Sequence, residues 1–440
     1  MRSVLPFQEV AVAALGCAMI CGVSCHIVAD LEDHQPNPSR VDAGATDATA
    51  EARDGEAGSS AEAVCNHADD DGDGLVDEGL VWQATGWRTL LHETGVSEVA
   101  GVRLVDDLFA FAALATRFDG ASTVRLGLVD EVGSPRGESV MGLDWLRIHG
   151  WGVAFDAAHQ EVFLAFVEAS HRELHVVRFA VDETRLRGTH TDVVPLGYPV
   201  SKLFDVGWTE HGPVVLVRGT DGYARAEWTD RLDQTEGWNR KLASIKPDAA
   251  KLSVGPAVAW VASGMLDTGQ YGVMGGMIAL DGAEEVCSAR QVVSAGGGVW
   301  PEILATGTPA MWQDDRLWFT TTDSVKVAET WNVRISALDS ATVACALAPT
   351  GTFTDASSNV PVYGHSLAWA FGNAVATSAA KNQVRIHRLG PRFESVTPRK
   401  QPLVVDDALA HALVGGSGSP LLFRVRASTG DLDVTQVGCP

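Results

Sequence analysis

Residues Val124-Arg125-Leu126-Gly127-Leu128-Val129-Asp130 form a short, mostly apolar stretch that ends at an aspartate and recurs along the chain. The copies that follow are Val177–Asp182, Ala224–Asp230, Gly276–Asp281, Val333–Asp339, Val384–Gly390 and Leu422–Arg426, the last of them leading to Asp431. Apolar residues at alternate positions before a turn residue are typical of β-strands. The chain from residue 80 onward is therefore predicted to be a series of similar strand-rich units.

The spacing of the copies predicts the architecture. Another apolar stretch precedes most of them, as at Glu161–Phe166 and Pro213–Arg218. Units of about 50 residues with about four strands each are typical of a β-propeller. Seven copies predict an all-β fold of seven four-stranded blades over residues 80–440, with six or eight blades as open alternatives. Stacked β-sandwich domains are the other all-β possibility, and the even spacing of the copies argues against them.

The two ends of this region are predicted to close the ring. Little sequence follows Asp431, whereas Leu80 to Leu91 supplies a strand that belongs to no copy. We predict that this N-terminal strand completes the last blade, because the closed ring then has no open sheet edge.

Composition limits the function before any motif is considered. The chain has 440 residues, 46% of them hydrophobic, as expected of a globular protein with a sizeable core. The formal net charge is −23, with acidic residues concentrated in residues 26–79. No basic face is available for a phosphate backbone, so nucleic-acid binding is not expected. Residues 26–64 contain no aromatic residue and are predicted to be a disordered acidic linker.

The first 25 residues have the pattern of an export signal. The apolar run from Val10 to Val23 is shorter than the roughly 20 residues that span a bilayer. The segment resembles a bacterial lipoprotein signal, in which a cysteine after small residues is lipidated. Gly22-Val23-Ser24-Cys25 fits best, although Gly22 replaces the usual Leu, and implies lipidation of Cys25. Ala14-Leu15-Gly16-Cys17 is the competing site, and an ordinary signal peptide is the alternative. We expect an exported protein, either secreted or anchored at the outer membrane or cell surface.

Residues 65–79, Cys-Asn-His-Ala-Asp-Asp-Asp-Gly-Asp-Gly-Leu-Val-Asp-Glu-Gly, predict a calcium site. Calcium takes six to eight oxygen ligands, and alternate carboxylates in a tight loop supply them. Leu80 stands where a complete EF-hand loop needs its last glutamate, so that motif is excluded. The predicted ligands, including the backbone carbonyl of Leu75, are Asp69, Asp71, Asp73, Leu75, Asp77 and Glu78.

This loop resembles the calcium loops of thrombospondin type 3 repeats and, more closely, the MopE-type short metal-binding repeat of secreted bacterial surface proteins. The likeness runs from Cys65-Asn66 to Glu78-Gly79, with departures at His67 and at Gly72, where the repeat has Gly and a second Cys. The resemblance implies a calcium site, and its position between the linker and the start of the predicted ring favours a structural over a catalytic role. An acidic run without a metal is the alternative.

Four cysteines follow the signal segment: Cys65, Cys287, Cys345 and Cys439. An even number in an exported chain predicts two disulfides with three possible pairings. We expect Cys65 to pair with Cys439 at the ends of the ring, which leaves Cys287 with Cys345. The second pair would join equivalent places in neighbouring blades, where a Cα separation below about 7 Å is hard to reach.

No sequence motif identifies an active site. H-E-x-x-H, G-x-S-x-G and phosphate-loop patterns do not occur. The recurrent arginines Arg125, Arg225, Arg334 and Arg385 are predicted to be solvated, and the histidines at 149, 159, 171 and 175 to be surface residues. Two hypotheses remain: a binding or scaffold module for an extracellular glycan or protein, or a hydrolase or lyase with its site at the channel mouth. Whether the protein is an enzyme is uncertain, with binding favoured, and we expect a monomer.

Overall fold

A computed structural model describes residues 82–438, apart from residues 106–107, 170–172, 183–184, 195, 229–238, 243–244, 283, 295–300, 303–309, 314, 324–330, 340–345, 356–363, 371–372, 381, 390–401 and 416–418. The predicted signal segment, linker and calcium loop lie outside the described residues. Every regular element that the structure describes is a β-strand, and no described helix is long and apolar enough to cross a membrane.

The strands form seven antiparallel sheets. The first four sheets, each given from its inner to its outer strand, are β2 (Val96–Val105), β3 (Leu108–Thr116), β4 (Ser122–Asp130) and β5 (Pro135–Leu146); β6 (Ile148–Asp156), β7 (Glu161–Glu168), β8 (Leu174–Asp182) and β9 (Arg185–Val194); β10 (Val200–Thr209), β11 (Gly212–Gly219), β12 (Ala224–Trp228) and β13 (Asn239–Lys241); and β14 (Ile245–Val254), β15 (Val258–Leu266), β16 (Tyr271–Ile278) and β17 (Glu285–Ser294).

The fifth sheet has a divided inner strand, because β18 and β19 both pair with β20. The last three sheets are β18 (Pro301–Glu302), β19 (Ala310–Gln313), β20 (Arg316–Asp323), β21 (Trp331–Asp339) and β22 (Ala346–Asp355); β23 (Gly364–Ala370), β24 (Asn373–Ala380), β25 (Gln383–Leu389) and β26 (Leu403–Asp406); and β27 (Ala408–Val414), β28 (Leu421–Arg426), β29 (Leu432–Gly438) and β1 (Gln83–Leu91).

The seven sheets are the blades of a closed ring. Each inner strand contacts the inner strand of the next blade, and β27 of the seventh blade contacts β2 of the first. The N-terminal strand β1 pairs with β29 and is the outermost strand of the seventh blade. The predicted seven-bladed β-propeller, closed by its N-terminal strand, is confirmed.

The core consists of seven apolar clusters, one at each boundary between neighbouring blades. Strand β7 shows why the strands are so continuously apolar. Val162, Leu164 and Phe166 pack towards the first blade, whereas Phe163 and Ala165 pack towards the third. Because successive side chains of a strand point to opposite faces, a strand between two blades buries both sets.

The repeated stretch falls on the third strand of six blades: β4, β8, β12, β16, β21 and β25. The seventh copy does not. Leu422–Arg426 lies in β28, which is the second strand of the last blade, and the third strand is β29. Both β28 and β29 combine buried apolar residues with polar ones and lie largely buried, so their sequences do not separate the two positions.

Candidate functional site

Five consecutive inner strands are irregular near their starts. The register of pairing with the second strand shifts at Val96/Glu98 in β2, Ile148/Trp151 in β6, Val200/Lys202 in β10, Pro247/Ala249 in β14 and Ala408/Ala410 in β27. The described pairings of β18, β19 and β23 contain no such shift. A β-bulge changes the direction of the side chains beside it and is common next to functional sites. The irregular strands therefore mark one sector of the channel.

The same five strands line a cavity of about 280 Å³. This volume is close to the lower end of the roughly 300–1,000 Å³ range of small-molecule sites. Its charged and aromatic lining residues are Glu98, Trp151, Lys202, Phe204, Asp205, Lys251 and His411. Backbone and small side chains, including those of Gly101 and Ala250, form the rest of the wall.

Glu98 and Trp151 connect the first two blades at the cavity. The indole Nε1 of Trp151 donates a hydrogen bond of 2.7 Å to Oε2 of Glu98. Each residue stands at the far side of the register shift in its own strand. The bulges thus bring an exposed carboxylate and a half-buried indole together, and the hydrogen bond orients the aromatic ring at the cavity wall.

Lys202 and Arg218 hold the bulge of the fourth blade. Lys202 Nζ donates to the backbone oxygen of Asp248 at 3.2 Å, and Arg218 Nη1 donates to that of Pro247 at 3.0 Å. Both carbonyls belong to the irregular part of β14. Burial lowers the pKa of Lys202, and the neighbouring Arg218 lowers it further, while Asp248 and Glu98 act in the opposite direction. Lys202 is therefore a partly desolvated cation in the cavity wall.

Asp205 and His411 make structural contacts. The two carboxylate oxygens of Asp205 accept hydrogen bonds of 3.0 Å from the backbone N–H groups of Val206 and Leu252. His411 is buried, its Nε2 lies 2.6 Å from Oγ1 of Thr377, and burial lowers its pKa to about 4. His411 is thus neutral at pH 7, and the described contacts of both side chains are with the protein itself.

Gly150 allows the second and third blades to approach each other beside the cavity. Its φ is +96°, and a Cβ atom there would lie 2.0 Å from the backbone oxygen of Leu203. A Cβ on Gly152 would lie 2.7 Å from Cγ2 of Val206. Only glycine fits at Gly150, because a side chain would meet rigid backbone as well as an unfavourable φ.

Two of the recurrent arginines, Arg225 and Arg385, are largely covered, so the prediction that they are solvated was wrong; the side chain of Arg334 lies outside what the structure describes. Arg385 is 6% exposed. Arg225 forms an ion pair of 2.5 Å with Asp221, and its guanidinium lies 4.7 Å from the centre of the Tyr198 ring. Arg125 pairs with Glu93 at 3.2 Å. Neighbouring blades and turns cover these side chains, whereas an isolated strand would leave them in solvent.

The histidines predicted to lie on the surface divide into two kinds. His149 is exposed, and His159 is mostly exposed, with Nδ1 2.5 Å from a carboxylate oxygen of Asp156. His175 is instead largely buried, stacked on Phe166, with Nε2 3.4 Å from Glu168 and 3.9 Å from Glu173. The spacing of these last three side chains would suit one metal ion, but spacing alone assigns none. His171 lies outside the described residues.

The site residues predicted from sequence lie almost entirely outside the described residues. This holds for Cys25, for the calcium ligands Asp69, Asp71, Asp73, Leu75, Asp77 and Glu78, and for Cys65, Cys345 and Cys439. Cys287 is described, and it is buried in the cluster between the fourth and fifth blades. The calcium site, the lipidation and both disulfide pairings stay predictions.

No protein family model matches the chain, and no curated relative does either. Solved structures with a similar fold include the WD40 domain of Toxoplasma gondii coronin, at 10% identity and a TM-score of 0.49, covering 82% of this chain and 87% of that one. The β-propeller domain of Myceliophteria thermophila Cps50 (Swd1) has 10% identity and a TM-score of 0.45, covering 82% and 100%. Kuenenia stuttgartiensis hydrazine synthase has 13% identity and a TM-score of 0.47, covering 78% and 96%. At these identities nothing about ligand or activity follows.

Proposed function

We propose that this protein is an exported binding module whose central cavity receives a sugar-sized group of an extracellular glycan. The cavity carries the proposal: five bulged inner strands direct Glu98, Trp151 and Lys202 into a space of about 280 Å³. An aromatic face can cover the C–H side of a sugar ring, while carboxylate and ammonium groups bond its hydroxyls. A glycan suits this cavity better than a folded protein surface, which needs a larger contact area.

The hydrolase or lyase alternative receives no support from the described cavity residues. Asp205 is bonded to two backbone N–H groups, and His411 is neutral and faces Thr377. Glu98 accepts the indole N–H of Trp151. These contacts favour holding a ligand over transferring protons to it.

The N-terminal region supplies the rest of the proposal from sequence. We propose that the signal directs export, that Cys25 carries a lipid, and that residues 26–64 form a spacer between the membrane and the propeller. The calcium loop ends at Gly79, shortly before β1 begins at Gln83. Calcium bound there would order the chain next to the strand that closes the ring, which is a structural role.

Binding of the purified chain to a glycan array tests the cavity assignment. We expect a defined subset of glycans to bind, and Trp151→Ala to abolish that binding. Phe118→Ala is the matched control, because Phe118 is a fully exposed aromatic residue outside the cavity. Glycan binding that survives Trp151→Ala, or an array on which nothing binds, would contradict the proposed function.

A further inference from the structure

Both lysines of the cavity lie on one side of it, where Asp205 is also found. Lys202 and Lys251 lie on β10 and β14, in the third and fourth blades, whereas Glu98 and Trp151 lie on β2 and β6. The chain as a whole has a formal net charge of −23. The two lysines on one wall of the central cavity therefore contrast with the acidic composition of the chain as a whole.

The lysines keep hydrogen-bonding capacity for a ligand. Lys202 Nζ makes one hydrogen bond among the described residues, to the backbone oxygen of Asp248 at 3.2 Å, and an ammonium has three donors. Lys251 has no ion pair or hydrogen bond among the residues that the structure describes. Both side chains are partly buried, which strengthens their attraction to an anion inside the cavity.

The carboxylates of the cavity do not neutralise these lysines by direct contact. Asp205 accepts two backbone hydrogen bonds, and Glu98 accepts one from Trp151. Arg218 adds a further positive charge behind the wall, with its guanidinium 5.9 Å from the centre of the Phe204 ring. The surroundings of Lys202 thus contain two other cations, Arg218 and Lys251, and two carboxylates, Asp248 and Glu98, neither of which forms an ion pair with it among the described residues. A ligand anion bound between Lys202 and Lys251 would reduce the repulsion between the two ammonium groups.

We propose that the group received in the cavity is an acidic monosaccharide unit, with its carboxylate held by Lys202 and Lys251 and its hydroxyls by Glu98. The inference rests on the proposed glycan-binding function and specifies the ligand class for the same cavity. The indole of Trp151 beside Glu98 favours a sugar acid over a peptide carboxylate, because an aromatic face can cover the C–H side of a sugar ring while Glu98 accepts hydrogen bonds from its hydroxyls. Glu98 would repel a second anionic group on the same sugar unit, whereas carboxylates on neighbouring units of an oligosaccharide need not contact it.

Isothermal titration with matched oligosaccharides tests the inference. Trigalacturonate and a hyaluronan tetrasaccharide are the acidic probes, and galactotriose and chitotetraose are the neutral ones. At least one acidic probe is expected to bind at least tenfold more tightly than both neutral probes. Lys202→Gln and Lys251→Gln should each weaken that binding by about tenfold, as expected for loss of a hydrogen bond from a charged donor. Lys246→Gln is the control, since Lys246 is exposed on the same strand β14 and lies outside the cavity.

The other outcomes separate this inference from the proposed function. Neutral and acidic oligosaccharides that bind equally well, with no effect of either lysine variant, would overturn the acidic ligand class and leave glycan binding intact. Acetyl-triglycine with a free C-terminal carboxylate tests whether the sugar is needed. If it binds as tightly as the best acidic probe and depends equally on the two lysines, the assignment of a sugar as the ligand is wrong. Failure of all four oligosaccharides to bind would overturn the inference, and the array decides separately whether the cavity binds glycans at all.

Discussion

Thr89 donates a hydrogen bond of 2.8 Å to Asp433, a residue 344 positions later in the chain. Thr89 lies on β1, and Asp433 lies on β29, so this contact joins the two ends of the ring. Asp433 is 1% exposed and also contacts Arg424 at 3.2 Å and Arg426 at 2.7 Å. Arg426 donates in turn to Thr89 at 3.0 Å. The seventh blade is thus closed by buried polar contacts as well as by pairing of the two strands.

Replacing Asp433 should destabilise the ring. Asp433→Ala leaves Arg424 and Arg426 without their shared carboxylate and leaves the Thr89 hydroxyl without its acceptor. Asp433 is buried, but Arg426 keeps an ion pair of 3.7 Å with Asp431 and both arginines partly reach solvent, so we expect a loss of about 1–3 kcal/mol, as for buried polar groups that lose a partner. We expect the urea midpoint of unfolding to fall accordingly, measured by tryptophan fluorescence.

Asp182→Ala is the matched control for this prediction. Asp182 also contacts two arginines, Arg185 at 3.3 Å and Arg187 at 3.2 Å, but its side chain is 42% exposed. Exposed ion pairs contribute about 1 kcal/mol or less. Equal losses of stability in the two variants would show that burial at the closure of the ring has no special importance.

Gly150→Ala should destabilise the protein by more than the backbone strain of a positive φ alone would. A positive φ costs a residue with a Cβ roughly 1–2 kcal/mol, and here the new atom also collides with the Leu203 carbonyl. We expect a larger loss of unfolding free energy and weaker glycan binding. Gly269→Ala is the control, since Gly269 has φ +78° and a Cβ atom there would meet nothing within 4 Å. Equal losses of stability in the two variants would show that the contact with the Leu203 carbonyl adds nothing to the cost of the positive φ.

The strand pattern was sufficient to predict the ring because the second strand of most blades is apolar on two faces. Val162 to Val167 is one such strand, buried between the blades on either side. The same property explains the misplaced seventh copy. Leu422–Arg426 and the following strand β29 both satisfy the apolar pattern, so only strand pairing could decide which is the second strand and which the third.

The cavity could not be predicted in the same way. Glu98, Trp151 and Lys202 come together through bulges in three different blades, and a bulge changes strand register without a fixed sequence signature. The environment of Arg225 could not be predicted from the sequence either, because the Tyr198 ring that it contacts belongs to the loop before another strand. Residues 65–79 differ from the cavity in this respect. Their spacing predicts a calcium site directly from the sequence, but they lie outside the described residues.

Glu227 should make stability depend on pH. It is fully buried on β12, accepts a hydrogen bond from the Tyr198 hydroxyl, and has no hydrogen-bond partner at Oε2. Burial raises its pKa to about 7, against the opposing effects of Tyr198 and Arg225. In the unfolded chain Glu227 ionises near pH 4.5, so as pH rises the unfolded state loses this proton before the folded state does. The stabilisation that protonated Glu227 contributes is therefore complete only below about pH 4.5. Unfolding free energy should therefore fall between pH 4.5 and 7, by on the order of 2–3 kcal/mol.

Glu227→Gln isolates this contribution. The amide stays neutral and keeps an acceptor for Tyr198, so the decline attributed to Glu227 should be absent from the variant and should appear as the difference between the two stability curves. Urea unfolding at about pH 3.5, 4.5, 5.5, 6.5 and 7.5 measures it, a range that extends below and above the two pKa values. Parallel curves for the two proteins over this range would show that Glu227 does not retain its proton in the folded state.

Lipidation should be visible at the mature N-terminus. If Cys25 is the lipidated residue, mass spectrometry of the protein from membranes of an expressing bacterium should show a chain that begins at Cys25 and carries acyl groups. Cys25→Ser should release the protein from the membrane fraction, whereas Cys17→Ser should not. A soluble wild-type protein that begins at another residue would refute the prediction.

Calcium should stabilise the full chain through residues 65–79. Ligand that binds only the folded protein raises stability by mass action, by about 2.7 kcal/mol at a concentration 100-fold above the dissociation constant. We expect millimolar calcium to raise the thermal midpoint relative to the chelated protein, and Asp71→Ala/Asp73→Ala to abolish the rise by removing two predicted oxygen ligands. Asp42→Ala/Asp47→Ala removes the same charge from the linker and should leave the rise intact. An equal rise in both double variants would assign the effect to general screening of an acidic chain, and no rise in the wild-type protein would exclude a stabilising calcium site.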